Sequence, residues 1–334
     1  MPFQKKRIIL LAFPHFPHSG SNSTLIRLLA LFNILYFALI NPLVTHVRTM
    51  SRAVWENFLS RMPMPNMERN RILNWIYPGP SLDFITEVPS IDLKDQRCFE
   101  NEKAVAVLKE FLDHYLMRKF LGPFPPWVKT LNNIPIRLIS TFTLKKQDST
   151  TARRKHRVLI NCSEKLRGWS SFLPNFLDPT YQFWRKSKVV QTFNDALIKF
   201  SCSFQSARGI IRGLYGCKLI WKADMWKGFR HVVRNMSSWA GTGMFLKVVH
   251  PLTGEIWECI WLDVTTSMGI STSPIIFSLI FSTFTKALIF HFPELFGGDE
   301  NLALLFSFID DLMAGAHSHA QAMDQMTVLK MLQF

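Results

Sequence analysis

Two adjacent carboxylates, Asp310 and Asp311, interrupt an otherwise apolar stretch at residues 304–313. An apolar run leads into the pair, and Leu312 and Met313 follow it, which predicts a buried strand hairpin. Like charges in an apolar setting repel each other and are poorly solvated, and a divalent cation between them relieves both costs. The stretch therefore indicates a metal-dependent site. The alternative is a turn between two strands in which Asp serves as a turn former.

The composition favours a folded domain with an anionic partner. The chain has 334 residues, 48% hydrophobic and 19% charged, which is typical of globular proteins. Its net charge of +15 favours a nucleic acid or an anionic membrane surface as partner. The five cysteines are an odd number and include no Cys-x-x-Cys pair. This argues against a disulfide framework or a zinc ribbon and favours a reducing, intracellular compartment.

Residues 1–50 form a hydrophobic and basic N-terminal extension. An apolar run at residues 24–44 approaches the roughly 20 residues of a membrane-spanning helix, but it includes Arg27. Membrane association through this run is therefore not favoured over a buried helix or an extension with no fold of its own.

Residues 51–100 are rich in Pro, Asn and Arg and predict a loop-rich linker. A helix is predicted from Asn101, which can cap it, to Phe120, and Gly122 with Pro123 ends it. The apolar stripe that predicts its buried face consists of Val105, Leu108, Leu112, Tyr115, Leu116 and Phe120.

The remaining pattern predicts two hairpins and one separate strand. The hairpins pair residues 138–144 with 157–161 and 243–249 with 255–262, and the strand covers 219–225. The first hairpin has a strongly cationic tip at residues 145–156, for which an ordinary solvated loop is the alternative. A Gly/Ser loop then leads into a long helix, with Ser273 as its predicted N-cap.

Three sequence features occur in an order that resembles the palm of reverse transcriptases. The first is a strand that ends in Asp224, with an aromatic residue, Phe229, five positions later. The second is Gly269, a short Ser/Thr loop, then Pro and an aromatic residue, over residues 269–277. The third is an aromatic residue, any residue and Asp-Asp at residues 308–311.

The basic hairpin resembles the fingers of the same family. The run at residues 222–230, in which Lys-Ala-Asp precedes Gly-Phe-Arg, is most similar to retrotransposons of the DIRS type. The resemblance covers residues 100–334 and implies an α+β fold with the right-hand arrangement of polymerases. Fingers would occupy residues 101–215. The palm, an antiparallel sheet backed by helices, would occupy residues 216–334.

The resemblance implies an RNA-directed DNA polymerase that transfers deoxynucleotides to a primer 3′-hydroxyl by two-metal catalysis. The implied cofactor is a pair of Mg²⁺ ions, which prefer carboxylate oxygens, with Mn²⁺ as a substitute. The implied catalytic residues are Asp224, Asp310 and Asp311. Asp224 and Asp310 would be the principal metal ligands, Asp311 a third and more peripheral ligand, and the carbonyl of Met225 an additional one. The implied partners are an RNA or DNA template with its primer and deoxynucleoside triphosphates.

The resemblance also implies a set of nucleotide-binding residues: Lys146, Arg157, Phe229, Met268 and Gly269. Lys146 and Arg157 would grip the triphosphate, and Arg can do so bidentately. Phe229 would close the space of a ribose 2′-hydroxyl and so favour deoxynucleotides, with a core aromatic as the alternative. Met268 would pack on the nucleotide, and Gly269 would let the backbone approach it closely.

The chain also departs from the family pattern. Phe308 stands where Tyr is usual, and Ile309 fills the variable position; neither change removes a metal ligand. Only one short helix is predicted after the Asp-Asp hairpin, so a thumb and a ribonuclease H domain are expected to be absent and processivity to be poor. The alternative function is a catalytically dead nucleic-acid-binding remnant of a retroelement.

Overall fold

A computed structural model of the protein describes most of the chain after residue 50. The described residues are 51–84, 88, 90, 98–147, 154–165, 171–172, 189–198, 206–225, 228–250, 254–297, 303–309 and 311–331. The predicted N-terminal extension, with its apolar run at 24–44, lies outside them, and so does Asp310. For residues 145–147 and 154–157 only the backbone is described.

The described chain contains both helices and strands throughout. The helices are α1 (Arg52–Ser60), α2 (Asn66–Ile76), α3 (Asn101–Leu116), α4 (Phe193–Ala196), α5 (Ala207–Leu214), α6 (Ser273–His291), α7 (Pro293–Phe296) and α8 (His319–Met331). The strands are β1 (Phe120–Phe124), β2 (Thr130–Leu131), β3 (Ile134–Pro135), β4 (Leu138–Ile139), β5 (Thr141–Gln147), β6 (Arg154–Ile160), β7 (Ser171–Phe172), β8 (Val189–Val190), β9 (Leu219–Asp224), β10 (Gly243–Val249), β11 (Ile256–Asp263), β12 (Leu305–Phe308) and β13 (Asp311–Ala316). The predicted α+β class is confirmed.

Two sheets organise these elements. A four-stranded sheet has the order β1-β11-β10-β4, with β4 parallel to β10 and the other pairs antiparallel. A three-stranded antiparallel sheet has the order β12-β13-β9. The hairpins predicted from the alternation of apolar and polar residues are present as β5–β6 and β10–β11, and β9 is the predicted separate strand.

The largest apolar core forms around α6. One face of the β12-β13-β9 sheet, with Leu312 and Ala314, packs against α6. Helices α1 and α2 pack on the other side of α6. Among the described helices, α6 alone is long and apolar enough to cross a membrane. That finding carries little weight, because 56% of its most apolar window is buried inside the protein, as in a core helix.

The structure corrects three predictions. Residues 51–100 are not simply a linker, because α1 and α2 bury Trp55, Ile72 and other apolar side chains in the α6 core. The boundary after residue 215 divides elements that share one sheet, since β1 and β4 pair with β11 and β10. The buried stripe of α3 is displaced: Val105 is 51% and Leu116 68% exposed. The residues that α3 buries are Ala104, Val107, Leu108, Phe111 and His114.

Candidate functional site

Asp224 and Asp311 lie directly opposite each other on neighbouring antiparallel strands. Asp224 is the last residue of β9 and Asp311 the first of β13, and the two are Cα partners in the register. Residues opposite each other in an antiparallel pair share one face of the sheet. The neighbouring residues Ala223 and Leu312 point to the other face and pack in the α6 core. The two carboxylates therefore lie together on the face turned away from the core, which we name the carboxylate face.

The charges on the carboxylate face include one compensating cation. Like charges directly opposite on two strands destabilise a sheet. Lys222, two residues before Asp224 and on the same face, places its Nζ 2.8 Å from Oδ2 of Asp311. This lysine side chain is 53% exposed, so solvent screens the ion pair. Asp224 is exposed, and its carboxylate stands open to solvent beside the pair.

The donor set fits a hard divalent cation in part. Carboxylate oxygens are the ligands that Mg²⁺ prefers, and Asp224 with Asp311 supplies two of them side by side. Asp310 lies outside the described residues, and within these no group of three or more His, Cys, Asp or Glu side chains could hold a metal. The carbonyl of Met225 accepts a hydrogen bond from the amide of Gly228 at 3.0 Å. One of its two lone pairs is left for a metal.

A tight turn connects Phe308 to Asp311 at the edge of the carboxylate face. Phe308 pairs with Asp311, so only Ile309 and Asp310 lie between the two strands. Ile309 has a φ of +58°, a left-handed conformation that two-residue hairpins require and that a β-branched residue rarely adopts. The turn that carries Asp310 is therefore held at a conformational cost.

Replacing Ile309 should show this cost. We expect Ile309→Gly to raise the free energy of unfolding by about 1 kcal/mol, because Gly adopts positive φ without a clash between Cβ and the carbonyl oxygen. Urea unfolding measures the change. Ile309→Asn, which also tolerates this region, should give part of the gain, and destabilisation by both substitutions would contradict the assignment of strain to the turn.

The predicted site residue Phe229 packs partly in the core. Its ring meets that of Phe277 on α6 edge to face, with centroids 5.4 Å apart. Its carbonyl oxygen accepts a hydrogen bond from the hydroxyl of Thr266. Phe229 thus sits between the strand end at Asp224 and the loop before α6, and its partly buried side chain fits both the sugar-contacting and the core interpretation.

A buried charge network fixes the segment around Phe229, and the sequence interpretation missed it. Arg230 donates from Nη1 to Oδ2 of Asp263 at 2.8 Å, and the Asp263 side chain has no exposed surface. Thr265 donates to Oδ1 of Asp263 from its amide at 2.9 Å and from its hydroxyl at 2.7 Å. Burial would raise the pKa of Asp263, but Arg230, Arg234 and these hydrogen bonds outweigh it and lower the pKa.

Arg234 is the other buried cation of this network. Burial lowers its pKa to about 10, and the nearby Asp263 opposes that shift. Its Nε donates to the carbonyl of Thr265 and its Nη1 to that of Ser238, each at 2.9 Å. Its Nη2 donates to the hydroxyl of Thr242 and the carbonyl of Asp263. The only signal for this network in the sequence was the Gly-Phe-Arg run, which contains Arg230 but none of its partners.

The loop at Gly269 presses against the end of β6. Gly269 has a φ of +109°, and a Cβ added there would overlap the carbonyl oxygen of Ile160. Asn194 on α4 holds this loop from the other side. Its Nδ2 donates to the carbonyl of Gly269 at 2.8 Å, and its Oδ1 accepts from the amide of Ser271 at 2.9 Å. Asn194 is a second residue that the sequence interpretation missed, because no local motif marks it.

Substitution of Gly269 should separate two contributions to stability: the close contact with Ile160 and the positive φ of the backbone. We expect Gly269→Ala to cost about 3 kcal/mol of unfolding free energy, because the methyl group adds overlap with Ile160 to the cost of positive φ. Gly254→Ala is the matched control, since Gly254 has a φ of +72° and nothing within 4 Å of an added Cβ. Equal losses in the two variants, measured by urea unfolding, would show that the packing against Ile160 does not matter.

The structure places Gly269 against the hairpin that carries Lys146 and Arg157. Gly269 contacts Ile160, three residues along β6 from Arg157, which places the Arg157 backbone about 10 Å along the strand. Lys146 lies on β5 opposite Lys155 of β6, and the side chains at these hairpin positions are not described. Met268 is exposed beside the loop.

Three serine hydroxyls around the loop, those of Ser267, Ser271 and Ser273, are buried and have no hydrogen-bond partner among the described residues. Buried hydroxyls are usually hydrogen-bonded. The loop therefore offers unused donors and acceptors next to Gly269.

Comparison with known proteins adds no relative. No family model matches the chain, and no curated protein matches it either. What distinguishes the site is its own geometry. Three features define it: the exposed carboxylates, the loop at Gly269 with its unpaired serine hydroxyls, and the basic β5–β6 hairpin.

Proposed function

We propose that the protein is an RNA-directed DNA polymerase domain, the fingers and palm of a reverse transcriptase from a DIRS-like retrotransposon. The observation that carries the proposal is the direct cross-strand pairing of Asp224 with Asp311 on the open face of an antiparallel sheet. The sequence supplies a third carboxylate at Asp310, directly before Asp311. Carboxylates on adjacent strand ends can hold the two metal ions of nucleotidyl transfer side by side.

The surroundings of the carboxylates support the same function. The α6 core packs on the opposite face of the sheet, and the carboxylate end is exposed at Asp224 and Phe308, as access for a primer end requires. The β5–β6 hairpin, with Lys146 and Arg157, would form the fingers and bind the triphosphate. The contact between Gly269 and Ile160 joins that hairpin to the loop beside the nucleotide.

The three aspartates would have distinct tasks in this mechanism. Asp224 and Asp311, with Asp310, would hold two Mg²⁺ ions. When bound, the ions supply activation of the primer 3′-hydroxyl and charge neutralisation at the leaving pyrophosphate. Asp224 would lie nearest the primer end, since its carboxylate is exposed and has no described hydrogen bond.

Selection of the sugar would fall to Phe229. Its ring is anchored by Phe277 and its backbone by Thr266, so it cannot retreat without disturbing the core. From this fixed position the ring would exclude a 2′-hydroxyl by steric overlap. Arg230, the next residue, forms a buried ion pair with Asp263. This pair would hold the backbone at Phe229 in place.

One observation favours the alternative, a non-catalytic nucleic-acid-binding remnant. Lys222 pairs with Asp311 at 2.8 Å, so one of the two carboxylates has a counter-charge without a metal. In that case the protein would keep a basic surface and bind nucleic acid without extending it.

Primer extension separates the two functions. The experiment incubates the chain with a labelled DNA primer on an RNA template and all four deoxynucleoside triphosphates, with Mg²⁺ or with EDTA. The proposed polymerase extends the primer only with Mg²⁺. Binding of the primer–template without any extension would support the remnant instead. Ribonucleoside triphosphates serve as the control for sugar selection.

A further inference from the structure

Helix α5 lies on the carboxylate face, next to the proposed catalytic site. Its apolar residues Ile210 and Leu214 form a small cluster with Phe306 of β12, and Met313 of β13 packs against it. Phe306 and Met313 are Cα partners on the same face as Asp311. The helix thus covers the far end of this face and leaves the carboxylate end open.

Two glycines fix the helix closely to the sheet. A Cβ added at Gly213 would overlap the ring of Phe306, and one added at Gly315 would overlap the Sγ of Cys217. Such close approach leaves little freedom for the helix to slide or rotate. Its outward side is therefore presented in a fixed position relative to Asp224 and Asp311.

The outward side of α5 combines cations with exposed apolar groups. Arg208, Ile211, Arg212 and Tyr215 follow one another at the i, i+3, i+4, i+7 spacing of a single helical stripe. Ile211 is 69% and Tyr215 90% exposed. Tyr215 is more exposed than any other large apolar side chain of the described residues. We name this stripe, with Lys218 beyond it, the α5 surface.

The charge of this region has one sign. Residues 206–223 contain four Lys or Arg and no Asp or Glu. Three of the four are exposed on the α5 surface, at positions 208, 212 and 218, and none of the three forms an ion pair with an acidic side chain of the described residues. Unpaired cations beside an exposed aromatic ring are the combination that binds single-stranded nucleic acid, since phosphates pair with the cations and a base stacks on the ring.

The α5 surface also leads directly into the proposed active site. Lys218 precedes β9, and Ile220, Lys222 and Asp224 then alternate along the exposed face of that strand. The strand spans about 13 Å between Ile220 and Asp224. A polyanion on the α5 surface would therefore continue along β9 to the carboxylates.

From this geometry we infer that the α5 surface binds a single strand of nucleic acid, with a base stacked on Tyr215 and phosphates on Arg208 and Arg212. The inference rests on the proposed function, because it names a contact for the substrate of that site. A second copy of the chain or a protein partner on this surface would be a different finding. The charge argues against both, because neither supplies a continuous row of anions.

The test is fluorescence anisotropy with a labelled single-stranded RNA oligomer at several salt concentrations. Tyr215→Ala should weaken binding about ten-fold through loss of stacking, and Tyr215→Phe should bind like the unmodified chain. The double variant Arg208→Gln/Arg212→Gln should reduce the slope of log affinity against log salt by about 1.4, from about 0.7 per phosphate released.

The matched control removes the same charge elsewhere. Lys103 and Lys109 are exposed on α3, and Lys103→Gln/Lys109→Gln should leave the salt slope unchanged. Equal effects of the two double variants, full affinity in Tyr215→Ala, no binding of RNA by the unmodified chain, or dimerisation that depends on Tyr215 would each overturn the inference.

The outcome is separable from that of the proposed function. Anisotropy is also measured on the Asp224→Asn variant, which should bind RNA through the α5 surface whether or not the unmodified chain extends a primer. Binding that depends on Tyr215 without extension would contradict the polymerase and keep the surface. Primer extension whose rate is unchanged by Tyr215→Ala would support the polymerase and contradict the binding role of the α5 surface.

Discussion

Asp224→Asn is expected to reduce primer extension on the order of 10³-fold or more, comparable with removal of a group that stabilises the transition state directly. The amide keeps the size of the side chain but loses the charge that would hold a divalent cation. Asp224 is exposed at the end of β9, so the substitution should leave the fold intact. The measurement is the rate of single-nucleotide addition to a primed RNA template at saturating Mg²⁺.

The control for this variant is Asp324→Asn. Asp324 is also exposed, but it lies on α8, away from the carboxylate face. Its replacement removes the same charge and should leave the rate unchanged. If Asp224→Asn retained the full rate, or if both variants lost activity equally, the role of Asp224 as a metal ligand would be refuted.

The second large effect concerns stability. Asp263→Asn should cost about 3–5 kcal/mol of unfolding free energy, because it leaves the buried Arg234 and the nearly buried Arg230 without their counter-charge. Urea unfolding at neutral pH measures the loss. Glu258→Gln is the control, since its ion pair with Lys247 is partly exposed and should contribute at most about 1 kcal/mol.

The same aspartate makes stability depend on pH. Burial would raise its pKa, but the two arginines and the Thr265 bonds outweigh burial, so its pKa in the folded state lies below the unfolded value. The contribution of Asp263 to stability is therefore fully present above the unfolded pKa of about 4. It is lost as pH falls through the lower folded-state pKa.

Urea unfolding below and above pH 4 tests this sign. The unmodified chain should lose more stability on acidification than Asp263→Asn does. An equal loss in both proteins would mean that other carboxylates account for the acid sensitivity.

Local patterns predicted the elements that carry the site. Alternation of apolar and polar residues located β9 and both hairpins, and the Asp-Asp pair marked the turn between β12 and β13. That Asp224, Asp310 and Asp311 belong to one site followed from the family resemblance, which made Asp224 and Asp310 the principal pair. Nothing in the spacing of residues so far apart in sequence fixes which of them lie opposite each other. The structure provides that register directly.

Tertiary contacts account for what the sequence could not provide. Asp263 lies one residue beyond the predicted strand at 255–262 and carried no signal of its own. Only its proximity to Arg230 and Arg234 shows its role. Asn194 lies in a one-turn helix, and two of its side-chain hydrogen bonds join residues more than 70 positions away. Pro and Asn residues around α1 and α2 made this part of the sequence look like a loop. These helices are stabilised by packing on α6, which local sequence does not reveal.

The most direct test of the central claim, that Asp224 and Asp311 share a divalent metal, is a titration with Mn²⁺ followed by electron paramagnetic resonance. The unmodified chain and Asp324→Asn are predicted to bind Mn²⁺ at a site that Asp224→Asn and Asp311→Asn each weaken at least ten-fold. Equal Mn²⁺ binding by all four proteins, or none by the unmodified chain, would contradict the account.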